Sequence, residues 1–398
     1  MKIGLSGIIT LLIFFILTGM NISDVSAAKK GKKKQAVKEK QAGPASQKET
    51  FWAHPNGNLL SASFASDGKS AVSVNSEGDI FFWDVESGKK IRTVRFGTRA
   101  ISAAFFGNTK IALAGGLDKN NAILMQNLTT GEKIETLAGH KGGITTLAFS
   151  TDGDNILSGG WNHQVTLWGG THGDIVRVFK GHNAVVHSVA VSPNRVLVAS
   201  GSADGTIKIW NMSTGELTQT IKKAHKKGVL KVSFSPNGKL ILSGGIEKGK
   251  DKKNKKDIYS IKLWDLETGK SLFKKTNFSE DQEELVIAMF SPNGKYVLSG
   301  NKSGTSTPNA TLKLWDATAP EIIPAKGAIV PPKEPLRIFS GHGGGISTVT
   351  FSPDSTRILA GGDGTLTIWE TETGKILGGG VANDATLPTG VPPVPSQG

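Results

Sequence analysis

Histidine, serine and aspartate recur in this chain at spacings that invite a catalytic reading. His182 is followed by Ser200 and Asp204, His140 by Ser158 and Asn162, and His342 by Asp363. Brought together around an exposed serine, such a set would perform nucleophilic acyl hydrolysis. Its recurrence argues the other way, because a hydrolase needs one exposed nucleophile beside an oxyanion site and no copy is singled out. Buried polar groups that satisfy one another account for the repetition better. Metal chemistry has equally little support. The chain has no cysteine and eight histidines. Five of these (His54, His140, His182, His225 and His342) follow Gly or Ala in one repeated slot, leaving His163, His172 and His187 scattered. A calcium or zinc site needs several converging ligands, so no metal or cofactor is expected.

The elements that carry these residues repeat. Segments of alternating apolar residues end in Trp83, Trp168, Trp210, Trp264, Trp315 and Trp369, and a further copy, Ala122 to Gln126, places Gln126 in the tryptophan slot. Alternation of this kind marks a half-buried strand. Successive slots are 43, 42, 42, 54, 51 and 54 residues apart, and the short steps match the period of about 40 to 45 residues of a four-stranded propeller blade. After each slot comes a turn such as Ser213-Thr214-Gly215, then a short strand often ending in Gly-His. A strand of the form V-x-x-V-x-F-S follows, then a turn such as Ser235-Pro236-Asn237-Gly238 and a strand ending in Ser-Gly-Gly or Ser-Gly-Ser.

On these residues the chain resembles the WD40 repeat family, of an exported bacterial type, from about Thr50 to Lys375. The resemblance implies an all-β fold, a seven-bladed β-propeller of four-stranded antiparallel blades. It also implies that the histidine, a serine, a turn aspartate and the tryptophan form a buried hydrogen-bonded set within each blade. His182, Ser200, Asp204 and Trp210 match that set completely. His140, Ser158, Asn162 and Trp168 match with asparagine for aspartate, and His54, Ser73, Glu77 and Trp83 with glutamate. His342, Asp363 and Trp369 lack the serine, because Ala360 stands there. Blade two lacks both histidine and tryptophan. Ring closure has two candidates, Thr50 to His54 and Lys375 to Leu377. The N-terminal strand is favoured, since Gly378 to Gly380 make a poor strand.

Outside the repeats, Met1 to Ala27 has a basic start, an apolar run from Ile8 to Leu17 and small residues through Val25, Ser26 and Ala27. That is the layout of a secretory signal cleaved after Ala27, and the apolar stretch falls short of the roughly 20 residues of a membrane span. The expected organisation is therefore a signal peptide at 1–27, a lysine-rich linker at 28–48, the propeller at 49–377 and a Gly/Pro-rich tail at 378–398. Export without cysteine points to a bacterial periplasm, envelope or extracellular setting.

The formal net charge of +14 is concentrated in three segments. Lys29 to Lys48 holds eight lysines against Glu39 alone. Lys222, Lys223, Lys226 and Lys227 lie in the loop entering blade five. An insertion in the same blade, Glu247 to Asp257, carries Lys248, Lys250, Lys252, Lys253, Lys255 and Lys256 against Glu247, Asp251 and Asp257. If the family layout holds, the two loops share one face and attract an anionic partner, with Glu280, Asp281, Glu283 and Glu284 nearby to offset them in part. A protein partner or an anionic envelope component fits an exported platform. Nucleic acid fits poorly, because neither lysine segment is interleaved with stacking aromatics. A monomer is expected. The alternatives are a hydrolase-like or lactonase-like propeller enzyme acting at the central channel, whose inner strands hold no Asp or Glu and only His187 as histidine, or a purely structural envelope component.

Overall fold

Short apolar runs separated by turns rich in Gly, Asn and Asp fold here as consecutive hairpins. The computed structural model describes residues 59–95, 100–106, 110–115, 122–127, 130, 132–138, 140–169, 173–248, 258–276, 285–301, 311–317, 335–342, 345–362 and 364–379. The chain divides into Met1–Lys48 and Glu49–Gly398, and the first, with the expected signal peptide and the whole lysine-rich segment, lies outside the described residues. Among the described residues the regular structure is all strand, and no helix is long and apolar enough to cross a membrane.

The strands form seven four-stranded antiparallel sheets, each with its strands in chain order. The first comprises Leu59–Phe64, Ser70–Asn75, Asp79–Asp84 and Lys90–Arg95. Its second and third strands are buried along most of their length, whereas the fourth alternates between half-buried and exposed residues. That gradient is the signature of blades that pack face to face and meet solvent at their outer edge.

Local chemistry fixes the hairpins. In Ser235-Pro236-Asn237-Gly238 the Ser235 hydroxyl accepts the Leu240 N–H at 2.9 Å and lies 2.7 Å from Asn237 Oδ1, which accepts the Lys239 N–H at 3.0 Å. Gly238 closes the turn at φ +69°. The Ser-Gly pairs of the second strands have a packing cause. A Cβ at Gly201 would lie 2.6 Å from Val229 of the next blade, and one at Gly159 would lie 2.7 Å from Val186. Only glycine lets neighbouring blades approach so closely.

Apolar clusters tie each sheet to the next. Leu157, Val165 and Phe179 of the third sheet pack with Val186, Val198 and Trp210 of the fourth. Ile207 and Ile209 of the fourth pack with Val229, Phe234 and Trp264 of the fifth. One cluster joins Leu59, Phe81 and Trp83 of the first sheet to Leu359, Leu366 and Ile368 of the seventh. The Ala62 N–H donates to Thr348 Oγ1 at 3.2 Å across the same junction, and the Ser347 hydroxyl donates to the Leu59 carbonyl. The sheets therefore close into a ring, and the fold is a β-propeller of four-stranded antiparallel blades.

Closure does not follow the expected route. The outer position of the last sheet is filled by Ile376–Gly379, which pairs with Thr365–Glu370. Thr50 to His54 lies outside the described residues. Two physical reasons explain the difference. An edge strand needs only its backbone groups to pair, so Gly378 and Gly379 suffice. The turn that delivers the strand is also held in place: Gly374 sits at φ +73° and the Arg337 guanidinium of the preceding blade donates to the Thr373 carbonyl at 2.8 Å. The propeller thus extends two residues past the expected boundary at 377.

Candidate functional site

The Ser-His-Asp set of blade four is assembled. His182 Nδ1 donates to Asp204 Oδ2 at 2.8 Å, His182 Nε2 accepts from the Ser200 hydroxyl at 2.8 Å, and Trp210 Nε1 donates to Ser200 Oγ at 2.9 Å. Burial raises the Asp204 carboxyl, but hydrogen bonds from His182, Thr206 and the Asn183 N–H outweigh it and hold the group well below the ordinary carboxylate range. The geometry is that of a hydrolase triad, yet Ser200 has no exposed surface. Its oxygen lies under the tryptophan indole, so no substrate carbonyl can reach it.

The related sets diverge. Trp168 Nε1 donates to Ser158 Oγ at 2.8 Å, but His140 turns away and donates through Nδ1 to the Gly142 carbonyl at 2.7 Å, leaving its buried Nε2 without a partner. Asn162 Oδ1 instead accepts the Gln164 N–H. The expected four-residue set is therefore split in blade three. Trp83 Nε1 donates to Ser73 Oγ at 2.7 Å, while His54 lies outside the described residues. In the last blade, Ala360 offers no hydroxyl, so Trp369 Nε1 donates to the Ser340 carbonyl and His342 Nδ1 lies 2.9 Å from Thr367 Oγ1. Asp363 lies outside the described residues.

Blade five carries a network that the sequence pattern did not reveal. Glu247, read from sequence as part of the solvent insertion, ends the second strand Leu240–Glu247 and is 4% exposed. Lys262, from the third strand Ile258–Asp265, is 7% exposed and places Nζ 2.6 Å from Glu247 Oε1. The same ammonium donates to the Ala224 carbonyl and lies over the Trp264 ring. His225 Nε2 lies 2.9 Å from Ser243 Oγ, which accepts from Trp264 Nε1 at 2.8 Å, and His225 Nδ1 lies 3.1 Å from Ser260 Oγ. Glu247 therefore takes the place of the turn aspartate and does not neutralise the lysine loop.

That network positions the described surface lysines. Lys222, Lys223, Lys226, Lys227 and Lys248 are all exposed. The Lys227 N–H donates to the Ile246 carbonyl at 2.9 Å, so the loop entering the blade lies against the root of the insertion. Both connections belong at one end of the antiparallel sheet, because 2–3 and 4–1 connections share an end. Lys250, Lys252, Lys253, Lys255 and Lys256, and the acidic run at 280–284, lie outside the described residues. The sequence also gave no sign that Trp161 would be 59% exposed. It sits in the 2–3 turn of blade three, at the same kind of connection, where His163 takes a left-handed φ of +64°.

Among the described residues no group of three or more His, Cys, Asp or Glu side chains could hold a metal ion.

Four segments, residues 131–169, 173–211, 215–253 and 333–370, match the model of the WD domain, G-beta repeat. The chain is 24% identical over 270 residues to Protein tipD of Dictyostelium discoideum, covering 67% of this chain and 41% of that protein. It is 26% identical over 115 residues to Cell division cycle 20.1, cofactor of APC complex, of Arabidopsis thaliana, covering 28% of this chain and 24% of that one. A 59-residue stretch, 15% of this chain, is 39% identical to 7% of the Periodic tryptophan protein 2 homolog of Schizosaccharomyces pombe. The chain spans less than half the length of each of these curated relatives.

Proposed function

Because the chain belongs to the WD40-repeat family and folds as a propeller, we propose that it is a seven-bladed, non-catalytic interaction platform that docks an anionic partner at the lysine-bearing end of blade five. The hydrogen bond from Lys227 N–H to the Ile246 carbonyl carries this reading, since it brings two separate lysine segments together on one surface. Among the described residues no carboxylate pairs with Lys222, Lys223, Lys226 or Lys248. An acidic protein surface is the partner that fits, with Trp161 available as an aromatic anchor of the kind that dominates binding hot spots. A relative named as the cofactor of a complex supports action through other proteins. Burial of Ser200 under Trp210 supports the absence of hydrolase chemistry.

The setting we propose is the cell envelope, reached through cleavage of residues 1–27. The intact mass of the exported protein tests this, and retention of Met1 to Ala27 would overturn it. For the docking surface, the test is the chain with Lys222, Lys223, Lys226, Lys227, Lys248, Lys250, Lys252, Lys253, Lys255 and Lys256 changed to Gln. This variant is expected to lose retention on an anionic matrix at low salt and to lose the partner captured from envelope extract by the unaltered chain. Unchanged retention and capture would sink the docking surface.

A further inference from the structure

Each described inner strand except that of the last sheet, whose first strand begins at Thr348, shows a register shift near its start. A bulge re-aims the residue that follows it. The residues at that level are Ser61, Ser102, Thr146, Ser188, Lys231 and Ile287, and pairing with Gly361 puts Thr348 at the corresponding place in the last blade. Five blades out of seven, the last through Thr348, thus supply a serine or threonine at this level, and blade five supplies a lysine. Ser61, Ser102, Thr146, Lys231 and Thr348 all line one cavity of about 360 Å³ between the inner strands. That volume holds on the order of ten water molecules.

The protons and charges in this cavity favour an anion. Thr348 Oγ1 accepts the Ala62 N–H, so it keeps its own hydroxyl proton to donate. The inner strands contain no Asp or Glu, and their titratable residues are Lys231 and His187. Among the described residues no carboxylate pairs with Lys231. Lys231 is exposed to the channel, yet the strands that surround it partly desolvate its ammonium and lower its pKa, and burial followed by the charge of Lys231 lowers that of His187. A cation that faces the channel among hydroxyls, with no carboxylate on the inner strands, makes the local potential positive and attracts an anion.

We propose that this level of the central channel binds a small free oxyanion of the phosphate or sulfate class, with Lys231 as its charge partner and Thr348, Thr146 and Ser102 as hydroxyl donors. The site is separate from the surface lysines of blade five, so either can fail without the other.

Calorimetric titration of the full chain with inorganic phosphate, at ionic strength held constant with chloride, tests the site. One saturable site per chain is expected, weakened at least tenfold by Lys231→Met and kept when Lys222, Lys223, Lys226 and Lys227 are changed to Gln. Absence of saturable binding to the unaltered chain, or undiminished binding to folded Lys231→Met, would overturn the proposal. Should Lys231→Met not fold, reductive methylation of the unaltered chain read by peptide mass spectrometry decides. Phosphate is expected to slow modification of Lys231 relative to chloride, and equal rates would overturn the proposal.

Discussion

Lys262 Nζ lies 2.6 Å from Glu247 Oε1 with both side chains almost wholly buried, at the root of the blade-five insertion. A buried ion pair is weak evidence for stability in itself, but removing one partner leaves an uncompensated charge at a cost of about 3–5 kcal/mol. Lys262→Met alone is therefore expected to lower the urea midpoint sharply. The double variant Glu247→Gln, Lys262→Met should recover most of the loss, because replacing a whole buried pair is often near neutral. A double variant as unstable as the single one would show that the two charges are not coupled.

Ser200 and Ser158 occupy matching places but carry different duties. Ser200→Ala leaves both His182 Nε2 and Trp210 Nε1 without their partner, whereas Ser158→Ala orphans Trp168 Nε1 alone. Each buried group left unsatisfied costs about 1–3 kcal/mol. Ser200→Ala is expected to be the more destabilising change in parallel denaturant titrations, and equal midpoints would refute the ordering.

The blades were legible because their cores repeat at fixed spacing. Ser73 and Trp83, Ser158 and Trp168, and Ser200 and Trp210 are each ten residues apart, the span of one tight hairpin. Insertions stretch that spacing in blades five and six, to 21 for Ser243 and Trp264 and to 16 for Ser299 and Trp315, yet the indole still reaches its serine. Pairings that depend on charge or on a local kink were not legible. Lys262 occupies a position that alternation marks as merely polar, and its partner Glu247 lies across the insertion. His140 shares its motif with His182, but Asn162 lacks the negative charge that draws the imidazole N–H of His182 to Asp204. The channel level at Lys231 depends on bulges, which leave no residue signature when a Leu or Thr occupies them. The closing strand is not legible because glycine disfavours a strand interior, whereas this edge strand is held by backbone pairing, with its turn fixed by Arg337.

That closing strand yields a direct test. Ending the chain after Lys375 removes Ile376–Gly379 and opens the edge of Thr365–Glu370, whereas ending it after Gly379 leaves every pair of the last sheet in place. The shorter chain is expected to melt several degrees below the longer one, since a change of about 1 kcal/mol shifts the midpoint of a domain of 150–250 residues by about 2–4 °C. Matching melting temperatures would mean that Ile376–Gly379 does not hold the ring.

Asp204 links the buried set of blade four to pH. Its carboxyl is held well below the ordinary value despite burial, which acts in the opposite direction and is outweighed by the bonds from His182, Thr206 and Asn183. A carboxylate with a lowered native-state pKa binds its proton more readily in the unfolded chain. Its contribution is therefore complete above the ordinary carboxylate pKa of about 3.9 and is lost as pH falls below that value through the native-state pKa. Asp204→Asn removes the charge at every pH. The variant should be less stable than the unaltered chain near neutrality, and the difference should shrink as pH is lowered from about 5 towards 2. Denaturant midpoints of both chains across that range decide the matter, and a difference independent of pH would assign the stabilisation to packing and not to the ionised Asp204.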